Sequence, residues 1–135
     1  MGHDETKPMS IERRPRVLLA DDFPDLVTAI GQLLASECEV IGSVDDGGAL
    51  LEAAERLQPD LIVLDLNMPT VSGLEACRQI TRANPRIKVI LLTAWGDSVI
   101  MAAALAAGAF AFVEKQVIAN DLLSAIKRAC ADRRA

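Results

Sequence analysis

Five residues with reactive or ion-binding side chains follow short apolar runs along the chain: Asp21, Asp22, Asp65, Thr93 and Lys115. Clustered carboxylates repel one another and raise one another's pKa values, and a hard divalent cation such as Mg²⁺ relieves that cost by taking oxygen ligands from several of them. A carboxylate beside such an ion can attack a phosphoryl group, whose oxygens an amine and a hydroxyl then contact. The residue types therefore predict magnesium-assisted phosphoryl transfer to the central Asp65, with Thr93 and Lys115 on the phosphoryl oxygens.

Each of these residues also has a structural explanation when it is taken alone. An aspartate after a strand usually caps the next helix, a threonine at a strand end commonly reflects β-propensity, and a lone lysine is commonly solvated. Such residues at four of the five strand ends that the sequence predicts favour one shared site instead.

The composition is typical of one globular domain. The chain has 135 residues, of which 51% are hydrophobic, and a net charge of -5 without a long basic run. These values predict a single core and give no support for direct nucleic-acid binding or for a membrane anchor. We expect residues 1–15, which are polar and irregular, to be a flexible segment and residues 16–135 to form the domain.

Histidine and cysteine usage argues against several chemistries. His3 is the only histidine and lies in the polar lead-in, so neither a Ser/His/Asp nor a Cys/His nucleophile is expected, and the usual zinc ligand clusters are missing. The three cysteines are odd in number and far apart, which fits a reducing compartment. The sequence has no apolar stretch long enough to cross a membrane and no signal peptide pattern, so we predict a cytoplasmic location.

Short apolar runs alternate with segments of helical spacing. The continuous apolar character of the third and fourth runs suits strands that are covered on both faces. This alternation predicts an α/β fold with a doubly wound, five-stranded parallel sheet and five helices, whose ligand site lies at the carboxyl ends of the strands. The runs cover residues 16–20, 40–41, 61–64, 89–92 and 110–113, and the helical patterns cover 26–34, 50–57, 74–81, 99–105 and a last helix capped by Asn120 or Asp121.

Taken together, the motifs resemble the response-regulator receiver family of two-component signalling. The resemblance runs from Arg16 to about Cys130 and implies a CheY-like, flavodoxin-like (βα)5 fold with strand order 2-1-3-4-5. It is carried by residues 17–22 (VLLADD), 61–69 (LIVLDLNMP), 72–75 (SGLE), 92–94 (LTA) and 108–115 (GAFAFVEK).

The resemblance implies a role for each matching residue. Asp65 would be the phosphoacceptor, and Asp22, Asp65 and the backbone carbonyl of Asn67 would bind Mg²⁺, with Asp21 helping through water. Thr93 and Lys115 would bind the phosphoryl group. Phe112 would be the aromatic switch that turns inward as Thr93 moves, although a plain core aromatic is an equally good interpretation.

Three positions depart from the family pattern, and the smallest change is Ala111, which stands where glycine is common and should be tolerated if its φ is negative. Gln116 stands where relatives usually have proline, often after a cis bond, and because a cis bond before a non-proline residue costs about 2.5–4 kcal/mol we predict that Lys115–Gln116 is trans. Trp95 is bulky for a position that resembles the family's gate for attacking water, so we expect it either to shield the aspartyl phosphate or to be a surface aromatic.

The expected function is therefore that of a phosphoacceptor that switches a protein-interaction surface and assists only its own phosphorylation and dephosphorylation. The expected partners are a sensor histidine kinase or phosphotransfer protein, and a second copy through the face of the fourth helix, fifth strand and fifth helix. The chain is either free-standing or the receiver part of a longer regulator. Two alternatives stay open: a degenerate receiver that acts as a constitutive binding or dimerisation module, and an aspartate-nucleophile phosphatase, which Asn67 disfavours because it cannot exchange a proton.

Overall fold

A computed structural model describes the backbone of residues 13–133 and the side chains of residues 13–131. Strands and helices alternate strictly along this part of the chain. The strands are β1 (Arg16–Ala20), β2 (Glu39–Val44), β3 (Leu61–Asp65), β4 (Lys88–Thr93) and β5 (Ala111–Glu114). The helices are α1 (Pro24–Leu34), α2 (Gly47–Leu57), α3 (Gly73–Ala83), α4 (Ser98–Ala106) and α5 (Ile118–Arg133), with a 3₁₀ turn at Lys115–Val117 before α5.

The five strands form one parallel sheet in the order β2-β1-β3-β4-β5. The predicted fold class and strand order are therefore confirmed. The second strand is longer than its apolar run, and the fifth lies one residue further along the chain than predicted. Because parallel strands all end at the same edge of a sheet, this order brings the ends of β1 and β3 side by side.

Two apolar layers cover the two faces of the sheet, so its central strands are buried on both sides. One face packs against α2, α3 and α4, and includes Leu18, Ile62 and Leu91. The other packs against α1 and α5, and includes Val17 and Ile90. Successive strand residues point to opposite faces, and this explains why the runs in β3 and β4 are continuously apolar.

Side-chain caps fix where three of the helices begin. Asp46, Ser72 and Asp97 accept hydrogen bonds from the backbone amides three residues ahead and so start α2, α3 and α4. Asn120 and Asp121 do not cap the last helix, because α5 already begins at Ile118 and both residues lie in its first turns. That prediction was wrong because the 3₁₀ turn continues directly into the helix.

Three other expectations concern this part of the chain. The described residues hold no cis peptide bond, so the prediction that Lys115–Gln116 is trans is confirmed. Between residues 13 and 133 no helix combines the length and the apolar character that a membrane span requires. The predicted flexible segment, residues 1–15, lies mostly outside the described residues and stays a prediction.

Candidate functional site

Three aspartates meet at the carboxyl edge of the sheet. Asp21 and Asp22 follow β1 directly, Asp65 is the last residue of β3, and the register pairs Ala20 with Leu64 across these two strands. One carboxylate oxygen from each aspartate lies within 4.8 Å of the others. Oxygen donors alone, converging from two neighbouring strands, make a ligand set that suits Mg²⁺.

The three carboxylates differ in their exposure. Asp21 and Asp65 are each only 4% exposed, whereas Asp22 faces solvent. Oδ1 of Asp21 accepts the backbone amide of Phe23 at 2.9 Å. Oδ2 of Asp21 is buried and accepts no well-directed hydrogen bond from the described residues. A buried oxygen with a spare lone pair beside two other carboxylates is an arrangement that a cation or its bound water would satisfy.

Lys115 brings a positive charge to this cluster. It opens the 3₁₀ turn after β5, and its Nζ lies 3.2 Å from Oδ2 of Asp21 and 3.3 Å from Oδ1 of Asp65. Burial lowers the pKa of Lys115, but the carboxylates of Asp65 and Asp21 outweigh that effect and raise it overall. The amine is therefore held in its charged form across two buried acids.

The carboxylate of Asp65 lies in an environment that disfavours its charge. Burial raises its pKa, and the neighbouring Asp21 adds to the rise. The amide of Asn67 donates to Oδ1 of Asp65 at 3.2 Å and lowers the pKa, as does the ammonium of Lys115. Burial and the neighbouring Asp21 outweigh these two contacts, so the pKa of Asp65 is raised overall.

Thr93 lies at the end of β4, next to β3, and is 2% exposed. Its hydroxyl is bonded to the backbone two residues ahead: Oγ1 donates to the carbonyl of Trp95 at 2.9 Å and accepts the amide of Trp95 at 3.2 Å. The hydroxyl thus lies at the predicted edge of the sheet, but its proton is engaged within the loop between β4 and α4.

Trp95, Phe112 and Gln116 occupy different surroundings. The side chain of Trp95 is 80% exposed, which favours the surface interpretation over that of a shield. Phe112 is partly buried and packs against the apolar layer on the α2, α3 and α4 face. Gln116 is exposed, and its Nε2 donates to Oε1 of Glu114 at 3.1 Å.

Sequence reasoning did not single out the glycines that shape this edge. A Cβ built on Gly73 would lie 2.7 Å from Cα and 2.8 Å from the carbonyl oxygen of Leu66, and closer still to the carbonyl oxygen of Asp65. Gly47 is similarly crowded by Val71, whose Cβ would be 2.6 Å away. The signal available in the sequence was the position of Gly73 in the Ser72-Gly73 motif, but only the packing shows what a side chain there would displace.

A groove of about 470 Å³ opens beside the acidic cluster, between α1 and the end of β2. Asp21, Asp22 and Asp45 line it together with the apolar side chains of Val27 and Val44. The groove therefore opens the acidic edge at Asp21 and Asp22 to solvent, next to the end of β3.

Comparisons with known proteins show which family and which proteins the chain is similar to. The family model described as "Response regulator receiver domain" matches residues 17–127. The response regulator GacA of Pseudomonas viridiflava is 34% identical over 121 residues, which are 88% of this chain and 56% of that protein. The nitrate/nitrite response regulator protein NarL of Escherichia coli K12 is 34% identical over 125 residues, 91% of this chain and 58% of that protein. The chain thus spans about half the length of the curated relatives that it matches.

Solved structures show the same fold. The signal receiver domain of the putative response regulator NarL from Mycobacterium tuberculosis superposes with a TM-score of 0.81 at 28% identity, covering 89% of this chain and 98% of that one. The response regulator domain of Thermotoga maritima CheB gives a TM-score of 0.80 at 30% identity, covering 87% and 96%.

Proposed function

The chain belongs to the response-regulator receiver family of two-component signalling, and we propose that Asp65 is its phosphoacceptor in a Mg²⁺-dependent transfer. One observation carries the proposal. The buried carboxylate of Asp65 has an oxygen within 4.8 Å of oxygens of Asp21 and Asp22, and its Oδ1 lies 3.3 Å from Nζ of Lys115. These groups come from the ends of three different strands, β1, β3 and β5, so their proximity depends on the fold and not on their spacing along the chain.

The acidic cluster fits a divalent cation. Asp22, Asp65 and the backbone carbonyl of Asn67 would hold Mg²⁺, and Asp21 would act through a bound water. The convergence of one carboxylate oxygen from each of the three aspartates within 4.8 Å supports this assignment, because a nearby cation relieves their mutual repulsion. Bound Mg²⁺ would neutralise charge that builds up on the incoming phosphoryl group.

Asp65 supplies the nucleophile. An oxygen of its carboxylate forms the new bond to phosphorus as the bond from phosphorus to the donor, an imidazole nitrogen or a small acyl phosphate oxygen, breaks. The electron pair and any proton needed for neutrality go to the leaving donor. The amide of Asn67, which already donates to Oδ1, fixes the rotation of the carboxylate and so aims its other oxygen at the donor.

Lys115 and Thr93 stabilise the phosphorylated state. The ammonium of Lys115 lies 3.3 Å from Oδ1 of Asp65, so it is close enough to contact an oxygen of a phosphoryl group carried by the other carboxylate oxygen. Thr93 would contact a second oxygen after its hydroxyl leaves the carbonyl of Trp95. In this scheme Phe112, packed against the α4 side of the core, follows the movement of Thr93.

The output passes through protein contacts rather than through turnover of an external substrate. The phosphodonor would be a sensor histidine kinase or phosphotransfer protein, with its own phosphohistidine. The face of α4, β5 and α5 is the proposed contact surface, because Val99 is 76% and Leu105 is 53% exposed on a helix without a charged residue. Its occupant would be a partner protein or a second copy of the chain.

Phosphoryl transfer is tested by incubating the chain with Mg²⁺ and acetyl phosphate and then measuring the mass of the intact protein by mass spectrometry. We expect wild type to gain the mass of one phosphoryl group and Asp65→Asn to gain none. Asp25→Asn is the matched control, because Asp25 is an exposed acid in the first turn of α1, outside the cluster. Equal gain by wild type and Asp65→Asn contradicts the assignment of Asp65. No gain by wild type supports a constitutive binding module instead.

Cation binding is tested separately from phosphoryl transfer. A ligand that binds only the folded state at ten times its Kd stabilises it by about 1.4 kcal/mol, which for a domain of this size raises the thermal midpoint by roughly 3–8 °C. We expect Mg²⁺ to produce such a rise in wild type and a much smaller one in Asp22→Asn and Asp65→Asn. An identical rise in all three proteins would show that the cation binds elsewhere.

A further inference from the structure

The loop between β4 and α4, residues 94–97, lies under a side chain that the proposed reaction does not use. Glu114 is the last residue of β5 and the register partner of Thr93. A Cβ built on Gly96 would lie 2.8 Å from Cδ and 2.9 Å from Cγ of Glu114, and closer still to its Oε2. The side chain of Glu114 is therefore folded over the loop backbone and fills the space that a larger residue at 96 would need.

The carboxylate of Glu114 is also held from its other side. Nε2 of Gln116, in the 3₁₀ turn, donates to Oε1 at 3.1 Å, while Oε2 faces Gly96. Glu114 is partly buried, whereas Gly96 and Gln116 are exposed. A partly buried side chain that accepts a hydrogen bond from Gln116 and packs against the backbone at Gly96 loses rotamer freedom and restrains the backbone it contacts.

The restrained loop is the same loop that binds the hydroxyl of Thr93. That hydroxyl has one proton to donate, and in this structure it donates it to the carbonyl of Trp95. Donation to a phosphoryl oxygen therefore requires the bond to the carbonyl of Trp95 to break, which removes one of the contacts that hold the loop. Any contact that favours the present loop conformation shifts this equilibrium away from the phosphoryl-bound one.

We propose that Glu114 is a positioning residue that holds the β4–α4 loop in the conformation in which Thr93 is bonded to Trp95, and that it thereby sets how readily Thr93 turns to a phosphoryl group. The proposal rests on the proposed function of Asp65. Glu114 touches no reacting atom and acts only through the loop. Removing its side chain takes away the packing contact at Gly96 together with the hydrogen bond from Gln116, so it should favour the phosphoryl-bound state about two- to tenfold.

The test compares wild type with Glu114→Ala and Glu114→Gln. The glutamine keeps the length of the side chain, can lie over Gly96 and still accepts from Gln116, so it should rescue the restraint. Affinity for beryllofluoride, which mimics a phosphoryl group, is measured by calorimetry with saturating Mg²⁺. We expect Glu114→Ala to bind about two- to tenfold more tightly than wild type and Glu114→Gln to bind as wild type does.

Two readouts separate this role from a purely structural one. Affinity for Mg²⁺ alone should be equal in the three proteins, because Glu114 lies outside the acidic cluster. The amide of Trp95 donates to Oγ1 of Thr93, so its hydrogen exchange reports the loop bond without any phosphoryl mimic. We expect faster exchange in Glu114→Ala and restored protection in Glu114→Gln.

The outcomes are distinct. Measurable but equal beryllofluoride affinities in the three proteins overturn the proposal, and so does unchanged exchange of the Trp95 amide. A wild type that binds no beryllofluoride and gains no phosphoryl mass contradicts the function of Asp65. In that case the exchange of the Trp95 amide still decides whether Glu114 restrains the loop.

Discussion

Replacing Gly73 with alanine should destabilise the fold and disturb the site, although the change adds one methyl group at the start of a helix. Gly73 is the first residue of α3, and its amide donates to the carbonyl of Leu66 at 2.9 Å. A Cβ there would lie 2.7 Å from Cα of Leu66, about 0.8 Å short of the separation at which carbon atoms pack. The three nearest atoms all belong to the backbone of Asp65 and Leu66, so no side-chain rotation relieves the contact.

The expected magnitude follows from this geometry. Overpacking that forces a backbone shift costs about 1–3 kcal/mol, and we expect Gly73→Ala to lower the free energy of unfolding by that amount. Gly31 is the matched control, because it lies within α1 and a Cβ there would meet nothing within 4 Å. Gly31→Ala should therefore raise the free energy of unfolding by about 0.5–1 kcal/mol. The same chemical change should thus have opposite signs at the two positions.

The assay is urea unfolding followed by far-ultraviolet circular dichroism. Fluorescence is a poor probe of unfolding here, because Trp95 is already 80% exposed in the folded protein. Because the shift falls on the backbone of Asp65, Gly73→Ala should also weaken the rise in thermal midpoint that Mg²⁺ produces, while Gly31→Ala should leave it unchanged. Equal or greater stability of Gly73→Ala relative to wild type, with normal binding of Mg²⁺, would refute the reasoning.

Three further predictions follow from single features of the structure. Burial raises the pKa of Asp65 in the folded protein, so this carboxyl group ionises at a lower pH in the unfolded chain. Between the two pKa values the folded state binds more protons than the unfolded state. The free energy of unfolding should therefore fall as pH rises through that window. Without divalent cations, urea unfolding across pH should show this fall in wild type and a smaller one in Asp65→Asn; equal slopes would contradict it. Burial raises the pKa of the Cys38 and Cys77 thiols to about 11 each, which makes both thiols slow to react. Mass spectrometry after brief alkylation of the folded protein should therefore find the half-buried Cys130 modified before either of them. Modification of Cys77 before Cys130 would show that α3 opens. Thr70 has a φ of 74°, which is an unfavourable conformation for a β-branched residue. Because asparagine adopts this conformation more readily, Thr70→Asn should raise the free energy of unfolding by about 0.5–1 kcal/mol in the urea assay. No gain in stability would show that contacts of the Thr70 side chain offset the backbone strain.

Much of the fold could be read from local patterns. Apolar runs such as those at 61–64 and 89–92 coincide with β3 and β4 to within a residue, because strands buried on both faces must be apolar throughout. The start of α5 was predicted less accurately. There the chain passes from strand to 3₁₀ turn to helix without a capping side chain, so no residue type marks the change.

The sequence by itself determined which chemical groups stand at the strand ends. A parallel sheet collects the residues that follow its strands at one edge, so the types and positions of Asp21, Asp22, Asp65 and Lys115 were sufficient to predict that they meet. The family resemblance then supplied the strand order, which periodicity alone does not give.

Only the tertiary structure decided how these groups engage one another. The bond from Thr93 to Trp95, the fold of Glu114 over Gly96 and the backbone that crowds Gly73 all depend on how separate segments pack. Exposure likewise separates Asp22 from the buried Asp21, although the two are adjacent in the chain. The physical reason is that hydrogen bonds and van der Waals contacts vary over tenths of an ångström, and residue order does not specify distances between segments at that scale.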